Sequence, residues 1–311
     1  MNQQKIVITG GAGLVGHNLV ALLQESREFD LVVIDKHKHN LDVLKGLFPN
    51  VDAYHADCAE PGTWEAHFEQ ADTVVMLQAQ IGSNSDVAFT RNNVDATRNI
   101  LAAMKQHGVE YLVHISSSVV NSVADDLYTR SKREQENIVL ASGVRCVVLR
   151  PTLMFGLFDR KHLGWLARFL QRIPLFPIPG QGNFPRQPLY AKDFCAVIRS
   201  CINRRSIGTY DISGREFIPY IELIKAIRQA VDSRALVLKL PFGLFDFLLK
   251  TWAIFDRDPP FTSAQLHALV AGDEFEIINW PETFDIPATP LRQAIEETFG
   301  EGPYRDVELK F

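Results

Sequence analysis

Through the first half of the chain, short β-branched runs alternate with longer stretches in which apolar residues recur every three or four positions. The first pattern marks strands and the second marks helices. Strands are predicted over Lys5–Thr9, Leu31–Asp35, Val51–His55, Thr73–Leu77, Tyr111–Ser116 and Arg145–Leu149. Helices are predicted over Leu14–Gln24, Leu41–Phe48, Thr63–Gln70, Asp86–His107 and Tyr128–Ala141, with Gly108 and Gly143 placed to end two of them in the left-handed conformation. This alternation predicts an α/β fold built on a doubly wound parallel sheet, the Rossmann arrangement.

After Leu149 the rhythm changes. Pro and Gly crowd the stretch from Pro151 to Pro188, which favours turns and irregular pocket walls over regular elements. Beyond it the pattern predicts a helix over Ala191–Asn203, a short strand at Tyr210–Ile212, and helices over Ile221–Val231, Thr262–Ala271 and Thr289–Phe299. Residues 1–150 are expected to form the sheet domain, with 188–215 returning to it. Residues 151–187 and 216–311 are expected to form a smaller, mostly helical substrate lobe. The apolar stretch Leu240–Phe255 is broken by Asp246 and Lys250 and is shorter than the roughly 20 residues a bilayer span needs. It is expected to be a buried helix of the lobe, with a dimer surface or an interfacial membrane helix as alternatives.

Composition adds limits. The 311 residues are 46% hydrophobic and 22% charged, enough to bury a sizeable core. Lys and Arg total 32 against 37 Asp and Glu, for a net charge of -5, and the basic stretch Lys36–His39 is short, so nucleic acid is not the expected partner. Cys58, Cys146, Cys195 and Cys201 are scattered and the nine histidines lack ligand spacing, so no metal site is expected. Reduced thiols, together with strand residues beginning at Ile6, point to the cytoplasm.

The first candidate chemistry is the turn Thr9-Gly10-Gly11-Ala12-Gly13-Leu14-Val15-Gly16 between the first strand and the first helix. A phosphate approaches backbone closely only where Cβ is missing, and a helix N-terminus meets it with free N–H groups. Asp35 closes the second strand 19 residues after Gly16, where a carboxylate would accept both ribose hydroxyls of an adenosine. That charge favours NAD over NADP, although Lys36 and Lys38 could pair with a 2′-phosphate. The second is Tyr128-Thr129-Arg130-Ser131-Lys132, which sets a phenol and an ammonium on one helix face. The ammonium would lower the phenol pKa and make it a proton shuttle. The strand before this helix ends in Ser116-Ser117-Ser118, and Ser117, ahead of Ser118, is the expected donor to a substrate oxygen. A charged run, Arg160-Lys161-His162, reads as a solvated helix start, with contact to an anionic substrate as the alternative.

In order along the chain, Gly10, Gly13 and Gly16, Asp35, the run Asn93-Val94-Asp95-Ala96-Thr97-Arg98-Asn99, the serine strand end, Tyr128 with Lys132, and Leu149-Arg150-Pro151 resemble the extended short-chain dehydrogenase/reductases, in particular the NAD-dependent epimerase/dehydratase family. The resemblance runs from about residue 5 to 215. It implies a Rossmann domain that holds NAD with Gly10, Gly13, Leu14, Val15, Gly16, Asp35, Asp57, Cys58, Leu77, Gln78, Ala79, Asn93, Tyr128, Lys132 and Pro151. It implies catalysis by Ser117, Tyr128 and Lys132, with Thr152 near the nicotinamide and substrate and Arg186 on the diphosphate of a nucleotide sugar. It also implies a homodimer. The chain departs from the family pattern in three places: Leu153 stands where epimerases usually carry Asn, Ser118-Val119 replace the Asp-Glu pair of 4,6-dehydratases, and the Ser117-to-Tyr128 segment spans only 11 positions. The implied activity is a sugar-nucleotide epimerase or dehydrogenase. A carbonyl reductase or hydroxysteroid-type dehydrogenase and a non-catalytic nucleotide-binding assembly subunit are the alternatives.

Overall fold

The computed structural model describes residues 3–83, 85–123, 125–159, 161, 163–255, 266–267, 269–270, 275–305 and 307–310. Its centre is a seven-stranded, all-parallel sheet of β1 (Gln4–Thr9), β2 (Phe29–Asp35), β3 (Asp52–His55), β4 (Thr73–Met76), β5 (Tyr111–Ile115), β6 (Arg145–Pro151) and a later strand, Gly208–Ile212. The order across the sheet is Gly208–Ile212, β6, β5, β4, β1, β2, β3, so the chain reverses direction of growth between β1 and β4. In such sheets that reversal opens a crevice at the carboxyl ends of the strands.

Parallel strands covered on both faces become nearly continuous apolar runs. In β1, Ile6, Val7 and Ile8 are all fully buried. Ile6 and Ile8 join a core with α1 (Leu14–Gln24), α2 (Lys38–Leu47) and the helix Ala191–Arg204, while Val7 faces the opposite core. That second core holds Trp64 and Phe68 of a 3-10 turn, Ile100 of a helix over Ala96–His107, and Val139 of a helix over Leu127–Ala141.

The helix expected over Asp86–His107 is three pieces. α3 (Asp86–Phe89) runs into a π-helical turn, Thr90–Asp95, and then α4 (Ala96–His107). The widened turn carries the buried Asn93, and such turns concentrate at functional sites. Thr63–Phe68 is 3-10 rather than α-helical. The helix α5 spans Leu127–Ala141, and Gly108 and Gly143 are both left-handed, with φ of 69° and 75°.

The stretch expected to be irregular contains, after the short strand β7 (Met154–Phe155), a regular helix, α6 (Leu163–Arg172). Leu163, Leu166, Ala167 and Leu170 form a buried stripe at helical spacing, and between Pro151 and Pro174 no proline interrupts it. The strands β8 (Leu175–Pro179), β9 (Pro185–Arg186) and β10 (Leu189–Tyr190) follow, then α7 (Ala191–Arg204) and the sheet's last strand, β11 (Gly208–Ile212). Beyond them lie β12 (Ile218–Pro219), α8 (Tyr220–Ala230), β13 (Leu236–Leu240) and α9 (Phe242–Phe255). α6, β8, α8 and a helix over Leu291–Phe299 enclose a separate core. Trp280, Phe284 and Leu309 instead return to the core of the sheet.

The burial expected for Leu240–Phe255 is corrected. Leu244, Phe247 and Leu248 of α9 are 47%, 64% and 49% exposed, while Phe242 and Asp246 of the same helix face His267, so among the described residues α9 is covered on one side and open on the other. The helix expected over Thr262–Ala271 falls mostly outside the described residues, as do Arg160 and His162. Among the described residues, no helix is long and apolar enough to cross a membrane.

Candidate active site

The glycine turn follows β1 directly and opens α1. Gly10 takes φ +68°, and a Cβ there would lie 2.4 Å from the Gln78 backbone nitrogen. A Cβ on Gly16 would lie 2.0 Å from the Gly11 carbonyl oxygen. These two glycines are demanded by packing. Gly13 is different: a Cβ there meets no atom within 4 Å, so its missing side chain leaves open space at the helix N-terminus. No side chain caps that terminus and its first turn holds no acidic residue. Leu14 and Val15 begin the helix, half-buried beside this opening. The buried amide nitrogen of Gln78 has no hydrogen-bond partner, although its oxygen accepts from the Thr9 hydroxyl at 2.8 Å. An anion-sized space with unused donors around it is what a pyrophosphate requires.

Asp35 ends β2 almost fully buried. One carboxylate oxygen accepts the Ala12 amide at 2.9 Å and the other the His37 amide at 2.8 Å, so the carboxylate braces the glycine turn. Lys36 reaches Asn92 at 2.7 Å. Asp57 is pushed up by burial, but the Ala59 amide and the Arg91 guanidinium, 2.9 Å away, more than offset this and hold it below the usual range. Burial, with the Asp35 and Asp57 charges behind it, pushes the Cys58 thiol up to about 12. Leu77, Gln78 and Ala79 leave β4 along the crevice, with the Leu77 amide donating to the Thr9 carbonyl. Asn93 then ties three elements together. Its oxygen accepts the Gln80 amide at 2.6 Å, and its nitrogen donates to Ser131 on α5 at 2.9 Å.

Across the crevice, Ser117 caps the 3-10 turn Ser118–Asn121, and its hydroxyl lies near enough to the Tyr128 phenol to act on its ionisation. Burial pushes that phenol up, Ser117 pulls it back, and Asp126 pushes it up again. The Lys132 ammonium is fully buried and is held by the Ile115 carbonyl at 3.0 Å and by the Gln135 oxygen. Burial therefore pushes Lys132 down to about 7, against the pull of Glu136. In this arrangement burial, rather than the ammonium, governs the phenol. Pro151 ends β6, and next to it the buried Thr152 hydroxyl lacks a hydrogen-bond partner. Arg186 lies farther out on β9, where its charge lowers the Tyr220 phenol against a larger upward push from burial.

Thus Ser117 and Tyr128 are brought together, while the Lys132 ammonium is held instead at the Ile115 carbonyl at the end of β5. Arg186 stands outside that group, on the lobe side. Sequence reasoning missed Gln80, Thr97, Gln135 and Glu136. Gln135 and Glu136 follow Lys132 on the same helix, a proximity that could have marked them. Among the described residues, no group of His, Cys, Asp or Glu could hold a metal.

Comparison with known proteins agrees with this geometry. The family model for the "NAD dependent epimerase/dehydratase family" matches residues 6–212. The chain belongs to that family. Among curated relatives, a ceramide reductase of Caulobacter vibrioides is 21% identical over 76% of this chain and 73% of its own. An N-acetyl-α-D-glucosaminyl-diphospho-ditrans,octacis-undecaprenol 4-epimerase of Escherichia coli O157:H7 is 22% identical over 94% and 93%. A solved UDP-N-acetylglucosamine 4-epimerase from Methanobrevibacter ruminantium, in complex with UDP-N-acetylmuramic acid, is 18% identical, covers 96% of this chain and 97% of its own, and has a TM-score of 0.72. Like other members of the epimerase/dehydratase family, the chain is built on a Rossmann sheet.

Proposed function

We propose that this family member holds NAD across the carboxyl edge of its sheet and works as a sugar-nucleotide epimerase or dehydrogenase. The observation that carries the reading is the pairing, across one crevice, of an open, uncapped helix N-terminus at Gly13 with the neighbouring hydroxyls of Ser117 and Tyr128. NAD, when bound, accepts a carbinol hydrogen with its electron pair and can return it to either face of the resulting ketone. Tyr128 takes the proton from the substrate hydroxyl, and Ser117 donates to the oxygen as its charge changes. Gly10, Gly13, Leu14, Val15, Gly16 and Gln78 lie along the pyrophosphate, Asp35, Asp57 and Cys58 along the adenosine, and Leu77, Ala79, Asn93 and Pro151 along the remainder of the cofactor. Lys132 reaches the nicotinamide ribose after leaving the Ile115 carbonyl. Residues 1–150 with 188–215 serve the cofactor, and 151–187 with 216–311 close over the substrate, where Thr152 and Arg186 contribute.

Leu153 and the exposed Ile81, Val87 and Val123 near the two loops of the crevice favour a second reading within the same chemistry, a sugar diphosphate carried on a lipid. The names of the ceramide reductase and the undecaprenol-linked epimerase support it. Four unpaired cysteines support a reducing cytoplasmic setting. The family resemblance is what supports a homodimer. The test is proton NMR of the purified protein with UDP-N-acetylglucosamine and with its undecaprenol-diphosphate counterpart, without added cofactor. Appearance of the 4-epimer from either supports the epimerase reading and names the carrier. Turnover that requires added NAD(P)H would move the assignment to a reductase, and binding of NAD without turnover of any hydroxyl substrate to an assembly subunit.

A further inference from the structure

Ser117 sits between two residues that are anchored by the same ion pair. Before it, the Ser116 hydroxyl donates to Glu136 Oε2 at 2.5 Å. After it, at the end of the 3-10 turn that Ser117 caps, the Asn121 side-chain oxygen accepts from Arg150 Nη1 at 3.1 Å. Arg150 in turn grips Glu136, with Nε 3.2 and 3.1 Å from its two carboxylate oxygens and a further bond from Nη2. Asp211 on β11 completes the arrangement, 3.8 Å from Arg150 and 2.9 Å from the Asn121 amide nitrogen.

The partners come from separate elements. Glu136 lies on α5, one turn beyond Lys132 and two beyond Tyr128, while Arg150 lies near the end of β6. Successive residues of the β5 end therefore meet α5 in register: Ile115 with Lys132, Ser116 with Glu136, and Ser117 with Tyr128. Glu136 is 4% exposed, and a carboxylate withdrawn from water this far is costly unless every lone pair is used. A glutamine could accept from Ser116 equally well, but it could not take a two-pronged guanidinium across from β6.

We propose that the Glu136–Arg150 pair positions the site, clamping both flanks of Ser117 so that its hydroxyl meets Tyr128. The proposal rests on the reading of Ser117 and Tyr128 as the proton-handling pair, yet it can be tested without turnover. Besides Ser117, the group acting on the Tyr128 phenol is Asp126, at the start of the same helix. Removing both ends of the pair in Glu136→Gln/Arg150→Gln leaves net charge unchanged, so a change in the phenol reports geometry.

The experiment places difluorotyrosine at position 128 and follows its ionisation by fluorine NMR in the NAD-loaded protein. The double variant is expected to titrate about 0.5–1 pH unit higher, close to Ser117→Ala, because a donor to the phenolate is lost in both. Adding Ser117→Ala to the double variant is expected to produce no further rise. If the double variant misfolds, Ser116→Ala, which removes one attachment and keeps the ion pair, is expected to shift the phenol the same way by less. A double variant, or in its place Ser116→Ala, that titrates like the parent overturns the clamp, as does a full additional shift from Ser117→Ala. Unimpaired turnover by Tyr128→Phe would instead overturn the underlying reading and leave the titration result standing.

Discussion

In the sheet, consecutive apolar residues are divided between two cores, Ile6 and Ile8 to one face and Val7 to the other. In α9 of the lobe, an equally apolar sequence leaves Leu244, Phe247 and Leu248 in solvent. The difference lies in what covers each element. Every inner strand carries helices on both faces, supplied by the next stretch of chain, so local pattern and burial coincide. α9 follows the lobe strand β13 and, among the described residues, meets His267 at Phe242 and Asp246 while its Leu244, Phe247 and Leu248 face stays open. Apolar content predicts burial only when the covering partner is also written nearby.

The same contrast separates the consequences of substitution. Tyr128→Phe, at the sheet edge, is expected to keep NAD affinity and melting temperature while lowering turnover by about 10²–10⁴-fold, as steady-state kinetics on the substrate found by NMR would show. Full activity would detach function from that edge. Within the glycine turn, Gly16→Ala forces a side chain into the Gly11 backbone and is expected to cost about 3 kcal/mol of stability in urea unfolding. Gly13→Ala is expected to fold normally and to weaken NAD binding by about tenfold or more.

In the lobe, Leu170→Ala removes a fully buried side chain and should destabilise by about 2–5 kcal/mol. Phe247→Ser on exposed α9 should stay within about 0.5 kcal/mol of the parent in the same unfolding assay. A large loss there would mean that α9 is covered.

The last effect concerns pH. His17 is pushed down to about 4 by burial, against the Gly13 carbonyl and the Asp35 charge, and burial with the Lys132 charge holds His114 well below its ordinary value. The unfolded chain therefore binds protons that the folded chain refuses. Stability from these groups is complete above the ordinary histidine value of 6.5 and is lost as pH falls from there toward 4. The expected slope is at most about 1.4 kcal/mol per pH unit for each histidine. Urea midpoints measured between pH 7 and pH 4 should fall less steeply for His17→Gln.

Much of this was legible in the sequence because the determining contacts are local. α1 occupies Leu14–Gln24 as its periodicity predicts, and Ser117 and Tyr128 meet because a strand end and the next helix begin at the same edge. Asp35 was legible as an acid at the end of β2, but not as a brace for the Ala12 amide, since that bond depends on how tightly the turn folds back. The Glu136–Arg150 pair joins a helix to the following strand across a turn, and no spacing rule announces it. α6 was hidden by the prolines that follow it, and exposure of one face of α9 depends on which distant segment packs on the helix, which periodicity does not encode.

The crevice between the glycine turn and Tyr128 is the proposed site for NAD. Calorimetric titration of the purified protein with NAD and with NADP, repeated on Gly13→Ala, tests it most directly. Saturable binding of NAD at least about tenfold tighter than NADP is expected, since the buried Asp35 carboxylate opposes a 2′-phosphate, with a matching loss in Gly13→Ala. Tighter binding of NADP, or NAD binding that Gly13→Ala leaves untouched, would contradict it.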